Sequence, residues 1–363
     1  MEQVKVELGP ASYTIHVGPG SLARLGELNC FKNMSSKALI ITDETVGALY
    51  GGQVAEALQK VGFCTEIKAI VPGEESKSFA VAEELYTKAI TMGLDRLSPI
   101  VALGGGVVGD LAGFVAATYM RGVPFIQIPT SLLAQVDSSV GGKVAINHPL
   151  GKNLIGAFYQ PKTVLIDPVT LDSLPDRELS TGLAELIKHG LIADSQLFVD
   201  LQKNSTAIWQ KDTALFTRLI SRSCRIKADV VQQDERETGL RMILNFGHTI
   251  GHAVEKATNF GYSHGEAVAI GMHGAALISR DVGLCSQQTV DKVCDMLAKY
   301  CLPLKAQGCT AHELASYLMR DKKTIGGKVN WVLLADIGTT VIRNDIPEAV
   351  VLQALRQITI DSW

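Results

Sequence analysis

Pro99-Ile-Val-Ala-Leu103 runs directly into Gly104-Gly105-Gly106-Val-Val-Gly109-Asp110 and then into the small-residue stretch Leu111–Thr118; this part of the 363-residue sequence decides the fold. An unbroken apolar run of this length reads as a strand buried on both faces, the pattern of a parallel sheet. A helical run follows it, with glycines between. This is the strand–turn–helix unit in which backbone N–H groups at a helix N-terminus come close to a pyrophosphate. The spacing is not Gly-x-Gly-x-x-Gly, so the nucleotide reading rests on the correct context on both sides of the turn.

Upstream, residues 1–8 and 12–17 alternate around Gly9-Pro10 and predict a hairpin. Lys37–Thr42 is a second buried strand, closed by Asp43, which suits either a ribose contact or a helix cap. A helix over 52–61, a strand over 65–71 and a helix over 79–92 complete a β-α-β alternation. Between the last two lies the turn 72–78, with Glu74 and Lys77. Downstream, Pro124–Pro129 is a strand ending in Thr130-Ser131. Two polar, glycine-containing loops follow: 135–147, with Asp137 and Lys143, and 151–156, with Lys152 and Asn153. Loops at strand ends carry binding residues in α/β folds. Two lysines and Arg121 among glycines suit a phosphorylated or carboxylated small molecule.

After a last strand over 163–167 the sequence turns helical: 177–193, 195–203, 212–232, 247–258, 265–282, 287–300, 311–320 and 347–357, with one hairpin over 328–342. The expected organisation is an α/β domain over 1–175 and a mainly helical domain over 176–363.

The helical half holds the second cluster of chemistry, in the stretch 241–266. Three of the chain's eight histidines, His248, His252 and His264, fall within seventeen residues. His248 and His252, four apart, share a helix face; His264 opens a second helix after a break at Asn259-Phe260-Gly261. Imidazole is the commonest ligand for a catalytic divalent metal, and spacing alone selects His248 with His252 as a ligand pair. On the helix 177–193, Glu185 and Lys188 stand three apart among apolar neighbours, which points the pair inward.

Composition limits the classes. Apolar residues make up 47% and charged residues 20%, an ordinary globular balance. A net charge of −3 gives no reason to expect nucleic acid or an anionic membrane as a partner. Seven cysteines without a Cys-x-x-Cys match a reducing compartment, and the alternating N-terminus lacks a signal peptide's apolar core. No apolar run reaches about 18 residues, so no membrane span is expected, and the reading is cytoplasmic.

The glycine turn, Gln-Val-Asp-Ser-Ser-Val-Gly-Gly-Lys, Gly-Lys-Asn-Leu-Ile-Gly-Ala-Phe-Tyr-Gln-Pro, Ala-Glu-Leu-Ile-Lys-His-Gly, and Leu-Asn-Phe-Gly-His-Thr-Ile-Gly-His-Ala with Ser-His-Gly-Glu-Ala together resemble the 3-dehydroquinate synthase family of sugar-phosphate cyclases. The likeness runs in order from Asp43 to Lys323. It implies an α/β NAD-binding domain, an all-α metal-binding domain and substrate in the cleft between them. The implied metal is Zn²⁺ or Co²⁺ on Glu185, His248 and His264, with His252 moved aside to bind substrate. NAD contacts would fall on Asp43, Glu74, Lys77, Gly105, Gly106, Val107, Val108, Gly109, Asp110, Thr130, Ser131, Lys143, Lys152, Thr170, Leu171, Asp172 and Ser173. Substrate contacts would fall on Asp137, Lys143, Asn153, Lys188, Lys227, Arg241, Asn245, His252 and one of Lys322 and Lys323. Arg121 would reach the phosphate of a neighbouring subunit, making a homodimer. Thr45 and Ser131 stand where Asn and Thr are frequent in the family.

The implied reaction converts 3-deoxy-D-arabino-heptulosonate 7-phosphate to 3-dehydroquinate and phosphate, a shikimate-pathway step, through transient oxidation by NAD, elimination, re-reduction and aldol closure. Rival readings are a 2-deoxy-scyllo-inosose or valiolone-type cyclase, and a metal-dependent alcohol dehydrogenase of the glycerol dehydrogenase type. A zinc hydrolase is disfavoured because no Glu follows His248, as His-Glu-x-x-His requires.

Overall fold

The computed structural model describes residues 1–237, 239–324 and 329–360, leaving out the side chains of 319–324. The chain divides into two compact units, Met1–Leu174 with Lys211–Gln232, and Pro175–Gln210 with Gln233–Trp363.

The first unit is built on a seven-stranded sheet. Its strands are β1 (Glu2–Val6), β2 (Tyr13–Val17), β3 (Lys37–Asp43), β4 (Cys64–Ile70), β5 (Ile100–Gly104), β6 (Phe125–Pro129) and β9 (Thr163–Ile166). They lie in the order β1-β2-β9-β6-β5-β3-β4. Only the β1–β2 pair is antiparallel; the remaining pairs are parallel. Successive side chains of a strand point to opposite faces, which is why β3 and β5 read as unbroken apolar runs. Leu39, Ile41 and Ala102 pack with the helices Phe79–Met92 and Gly106–Thr118 on one face. Ala38, Ile40, Val101 and Leu103 pack with the helix Gly52–Gln59 and Leu22 and Leu25 on the other. From β3 the chain moves outward to β4, then returns to place β5 on the opposite side of β3. The strand order therefore reverses between β3 and β5, the switch point at which open α/β sheets bind ligands. Asp43 ends the first of these strands, and Gly104 ends the second.

Two expectations need correction here. Residues 135–158 are not plain loops. Ala134–Ser138 forms a wide helical turn, and β7 (Lys143–His148) pairs with β8 (Gly151–Phe158) as an antiparallel hairpin. Gly141 and Gly142, at φ +99° and +68°, make the turn into it. The alternation was masked by polar residues, yet Val144 and Ile146 face the core. The second correction concerns the single cut at 175. The helix Thr213–Gln233 lies almost wholly in the first unit, its Leu215, Phe216, Leu219, Ile220 and Val231 buried.

The second unit is helical around one central helix, His264–Asp281, whose residues from Ala267 to Ser279 are all buried. The helices Asp176–Ala193, His248–Ala257, Gln287–Lys299 and Glu348–Ile358 and strand β10 (Trp331–Asp336) pack against it. β10 pairs with β11 (Thr339–Arg343), close to the expected hairpin. Two buried hydroxyls in this unit are spent on main-chain carbonyls: Ser180 donates to the Tyr300 carbonyl at 2.6 Å, and Tyr300 to the Leu201 carbonyl at 2.6 Å.

Candidate active site

In the second unit three elements converge on one cluster. Glu185 comes from the helix Asp176–Ala193, His248 starts its own helix, and His264 is the first residue of the central helix. The Glu185 Oε1 atom is 3.6 Å from His248 Nε2 and 3.8 Å from His264 Nε2. Side-chain exposure rises from 0% at Glu185 through 12% at His248 to 31% at His264, so the cluster opens on the His264 side. Four ligands about 2.05 Å from a tetrahedral zinc lie about 3.3 Å apart, close to these separations.

The partners of the remaining atoms sharpen the reading. Neither Glu185 oxygen accepts a directed hydrogen bond among the described residues, although the Lys188 ammonium lies against Oε2 as an ion-pair partner. A wholly buried carboxylate with one ammonium beside it and no directed hydrogen bond is under-satisfied, and a divalent cation would complete it. Each imidazole has an acceptor beside Nδ1: the Phe246 carbonyl at 3.3 Å for His248, and Glu255 Oε1 at 3.3 Å for His264. An acceptor at that position favours the tautomer with the proton on Nδ1 and the lone pair on Nε2, the one a metal ligand needs. The residues fit the metal.

Backbone packing fixes the spacing of Glu185, His248 and His264. A Cβ on Gly265 would lie 2.2 Å from the Thr181 carbonyl of the Glu185 helix, and one on Gly271 would lie 1.9 Å from the carbonyl of Gly247, which precedes His248. Only glycine allows either approach. Ser263 caps the central helix in a capping box with Glu266, and Glu266 takes a bidentate ion pair from Arg177 at 2.9 and 2.7 Å. Ser263 also shares a 2.7 Å hydrogen bond with Thr181. Arg177 and Thr181 both stand on the Glu185 helix.

His252 lies next to the cluster, exposed, its ring centroid 5.5 Å from that of His248. Arg241 is buried; its guanidinium donates to the Glu235 carbonyl, and its backbone N–H donates to Asp234 at 3.0 Å. Asn245 donates to Glu237 at 2.6 Å. The side chains of Lys322 and Lys323 lie outside the described residues.

In the first unit three of the residues singled out for nucleotide binding, Glu74, Lys77 and Asp110, meet one another. Lys77, only 4% exposed, donates to Asp110 at 2.8 Å and Asn153 at 2.5 Å, and lies 3.5 Å from Glu74. Burial pushes the Asp110 carboxyl above the usual carboxylate range, with Lys77 opposing that shift. Asn147 completes the group, donating to Glu74 at 2.8 Å and accepting from the Asn153 N–H at 2.9 Å. Lys77→Met is expected to leave Asp110 without its cation and to destabilise the protein by about 2 kcal/mol. A urea melt checks this, and an unchanged midpoint would show the pair to be dispensable.

The glycine turn opens the helix Gly106–Thr118, and Gly105, Gly106, Val107 and Gly109 are half-buried there. Asp43 acts as a helix cap, accepting from the Val46 N–H at 2.9 Å. Thr130 and Thr170 are buried, and the Thr170 hydroxyl is spent on the Asp167 carbonyl at 2.8 Å and on Gln135 at 3.0 Å. Val108 and Leu171 are core side chains, leaving only their backbone for a ligand. Ser173 bonds Tyr50 at 2.8 Å, Asp172 is exposed, and Ser131 is half-buried. Lys143 and Lys152 are exposed on the hairpin strands. Lys227 donates to the Asp137 carbonyl at 2.7 Å and to its carboxylate at 2.6 Å. Arg121 is exposed on a turn where Met120 and Arg121 both take positive φ, 48° and 67°.

Sequence reasoning missed Glu255, Glu237, Asn147 and the Arg177–Glu266 pair. Two of them carried a local signal: Ser263-x-x-Glu266 is a capping-box pattern, and Glu255 stands one turn after His252.

A carboxylate–imidazole cluster on a helical unit and a glycine turn at the switch point of a parallel sheet suit an enzyme that joins a dinucleotide to a metal, and likeness to solved structures puts the chain in the sugar-phosphate cyclase class. Solved structures agree. 2-epi-5-epi-valiolone synthase ValA from Streptomyces hygroscopicus subsp. jinggangensis, with NAD+ and Zn²⁺ bound, is 29% identical at a TM-score of 0.89, covering 97% of this chain and 98% of its own. A 2-deoxy-scyllo-inosose synthase complexed with carbaglucose-6-phosphate, NAD+ and Co²⁺ is 28% identical at a TM-score of 0.87, covering 98% and 99%. Within that class the 3-dehydroquinate synthase N-terminal model matches residues 67–181 and the C-terminal model residues 182–324. A 3-dehydroquinate synthase from Desulforamulus reducens is 48% identical over 98% of this chain and 100% of its own. The chain belongs to the 3-dehydroquinate synthase family. Identity falls from 48% to 29% and 28% at the two other cyclases, so the rival cyclase reading is not favoured.

Proposed function

We propose that this chain converts 3-deoxy-D-arabino-heptulosonate 7-phosphate to 3-dehydroquinate and phosphate, as a lyase dependent on NAD and a divalent metal. The observation that carries the reading is the buried Glu185 carboxylate, without a directed hydrogen bond and flanked by two imidazoles whose Nδ1 atoms are already occupied. Glu185, His248 and His264 would hold Zn²⁺ or Co²⁺, which when bound supplies a Lewis acid for a substrate hydroxyl. The residues around the glycine turn and Lys77 would hold NAD, which when bound supplies a reversible hydride acceptor.

The chain's own groups do the rest. Lys188, 1% exposed, keeps an ammonium against Glu185, where an anionic substrate oxygen is favoured. In the first unit Lys227 is oriented by its two bonds to Asp137, and the exposed Lys143 offers a cation to an anionic ligand. Arg241, fixed by Asp234 and Glu235, offers a planar donor for a carboxylate or phosphate. His252, exposed beside the cluster, is placed to exchange a proton with substrate or phosphate. Two buried cations in the second unit, Lys188 and Arg241, have no purpose in an alcohol dehydrogenase acting on a neutral polyol.

We further propose a homodimer in which the exposed Arg121 serves the partner's phosphate; a sedimentation mass of one 38.9 kDa chain would exclude it. No helix among the described residues is long and apolar enough to cross a membrane. All seven cysteines are free, which agrees with a cytoplasmic home. The test is phosphate release from the heptulosonate phosphate. Release that needs both NAD and metal, with no net NADH, supports the reading. Steady NADH accumulation, or full activity after chelation, would overturn it.

A further inference from the structure

We infer that Glu255 is a positioning residue for His264, holding the imidazole in the tautomer and orientation in which Nε2 faces Glu185 and His248. The inference rests on the metal reading above. Glu255 follows His248 by seven residues, two helical turns, so both project from one face of the helix His248–Ala257. The residue is 8% exposed, a depth at which a carboxylate needs a partner. Its Oε1 lies 3.3 Å from His264 Nδ1, on the side of the ring opposite the Nε2 atom that is 3.8 Å from Glu185.

The two histidines differ in how they are held. His248, 12% exposed, is braced by a backbone carbonyl that no substitution removes. His264 is 31% exposed and relies on a side chain. A carboxylate in that role fixes the ring and also raises the basicity of the ligating nitrogen. The backbone of Glu255 serves the same end, because its carbonyl accepts from the Phe260 N–H at 2.7 Å. That bond closes the turn in which Asn259 and Phe260 both take positive φ, 50° and 59°, just ahead of His264. One residue thus anchors both the entry to the central helix and the ring of its first side chain.

The same neighbourhood offers a competing ligand set. His252, Glu255 and His264 also bring their ligand atoms within 4.8 Å of one another. Burial decides against it as the primary site, because His252 is exposed whereas Glu185 is wholly buried with no directed donor. In the inferred arrangement Glu255 stands behind a ligand and does not touch the metal.

The experiment is a zinc titration of the full-length apoprotein by chelator competition, for wild type, Glu255→Gln, Glu255→Leu and Glu185→Gln. Thermal melting of each apoprotein runs beside it. Glu255→Leu removes the acceptor and is expected to weaken zinc binding about 10- to 100-fold. Glu255→Gln keeps the volume and an acceptor oxygen but loses the charge. It is expected to fall between wild type and Leu, with an apo Tm near wild type, a graded pattern that a purely structural role would not give. If the Leu variant fails to fold, the Gln variant carries the test alone. Zinc affinity unchanged in both Glu255 variants, with Glu185→Gln abolishing it, would overturn the inference and leave the metal reading standing. Intact affinity in Glu185→Gln with loss in Glu255→Gln would overturn both, assigning the metal to His252, Glu255 and His264.

Discussion

Glu185→Gln is expected to strip the protein of metal and to lower the rate of phosphate release by about 10³- to 10⁴-fold, which is about 4–5 kcal/mol at 1.36 kcal/mol per tenfold. The amide keeps the shape of the side chain, so the effect isolates its charge. A divalent ion on one carboxylate and two neutral imidazoles retains a net single positive charge toward substrate oxygens. Without the carboxylate the ion is held by imidazole alone, in a pocket that also contains the Lys188 ammonium. That ammonium is 1% exposed, and the substitution leaves it buried without its anion. A stability loss of about 3 kcal/mol is therefore expected as well. The double variant Glu185→Gln/Lys188→Met separates the two effects, since it removes the stranded charge. It should regain much of the lost stability while remaining inactive and free of zinc. Zinc per chain after gel filtration, initial rates and urea midpoints are the three measurements. Equimolar zinc on Glu185→Gln, or a rate within tenfold of wild type, would remove Glu185 from the ligand set.

What the sequence disclosed about this cluster follows from what local pattern can encode. His248 and His264 stood out because three histidines fall close together between helical runs, and the break at Asn259-Phe260-Gly261 marked the second helix. Spacing alone preferred His252 as the partner of His248, because an i, i+4 pair is the strongest signal a helix offers. Glu185, the third member of the cluster, lay 63 residues before His248, and only resemblance to a family connected it to the histidines. No periodicity says which helix faces which. The parallel sheet was legible for the opposite reason: strands buried on both faces announce themselves as continuous apolar runs. The hairpin of β7 and β8 was hidden because its lysines and asparagines break the alternation. The allegiance of the helix Thr213–Gln233 was equally out of reach. It is settled by contacts such as Lys227 with Asp137, and Cys224 with the Gln135 carbonyl at 3.3 Å, each about 90 residues apart in sequence. Glu255 looked like one more charge on an amphipathic helix.

The second large effect is expected at Gly271, within the central helix and seven residues beyond His264. A methyl group there would meet the Gly247 carbonyl oxygen at 1.9 Å and two further backbone atoms at 2.8 Å. Backbone cannot rotate away as a side chain can, so Gly271→Ala must push the turn before His248 off the central helix. The expected cost is at least about 4 kcal/mol, at the extreme of single substitutions, through overpacking against main chain. Gly52→Ala supplies the contrast. It starts the helix Gly52–Gln59 with ordinary helical φ, and nothing lies within 4 Å of the added methyl. By restricting the unfolded chain it should stabilise by about 0.4–1 kcal/mol. Urea midpoints of the two apoproteins, measured side by side, check both signs, and an unchanged midpoint for Gly271→Ala would refute the close approach. Where Gly271→Ala does fold, its zinc affinity carries a second reading. The displaced turn bears His248, whose Nε2 must stay within about a bond length of the same ion as His264. Affinity should therefore fall together with stability, because the contact that closes the two helices also sets the distance between their ligands.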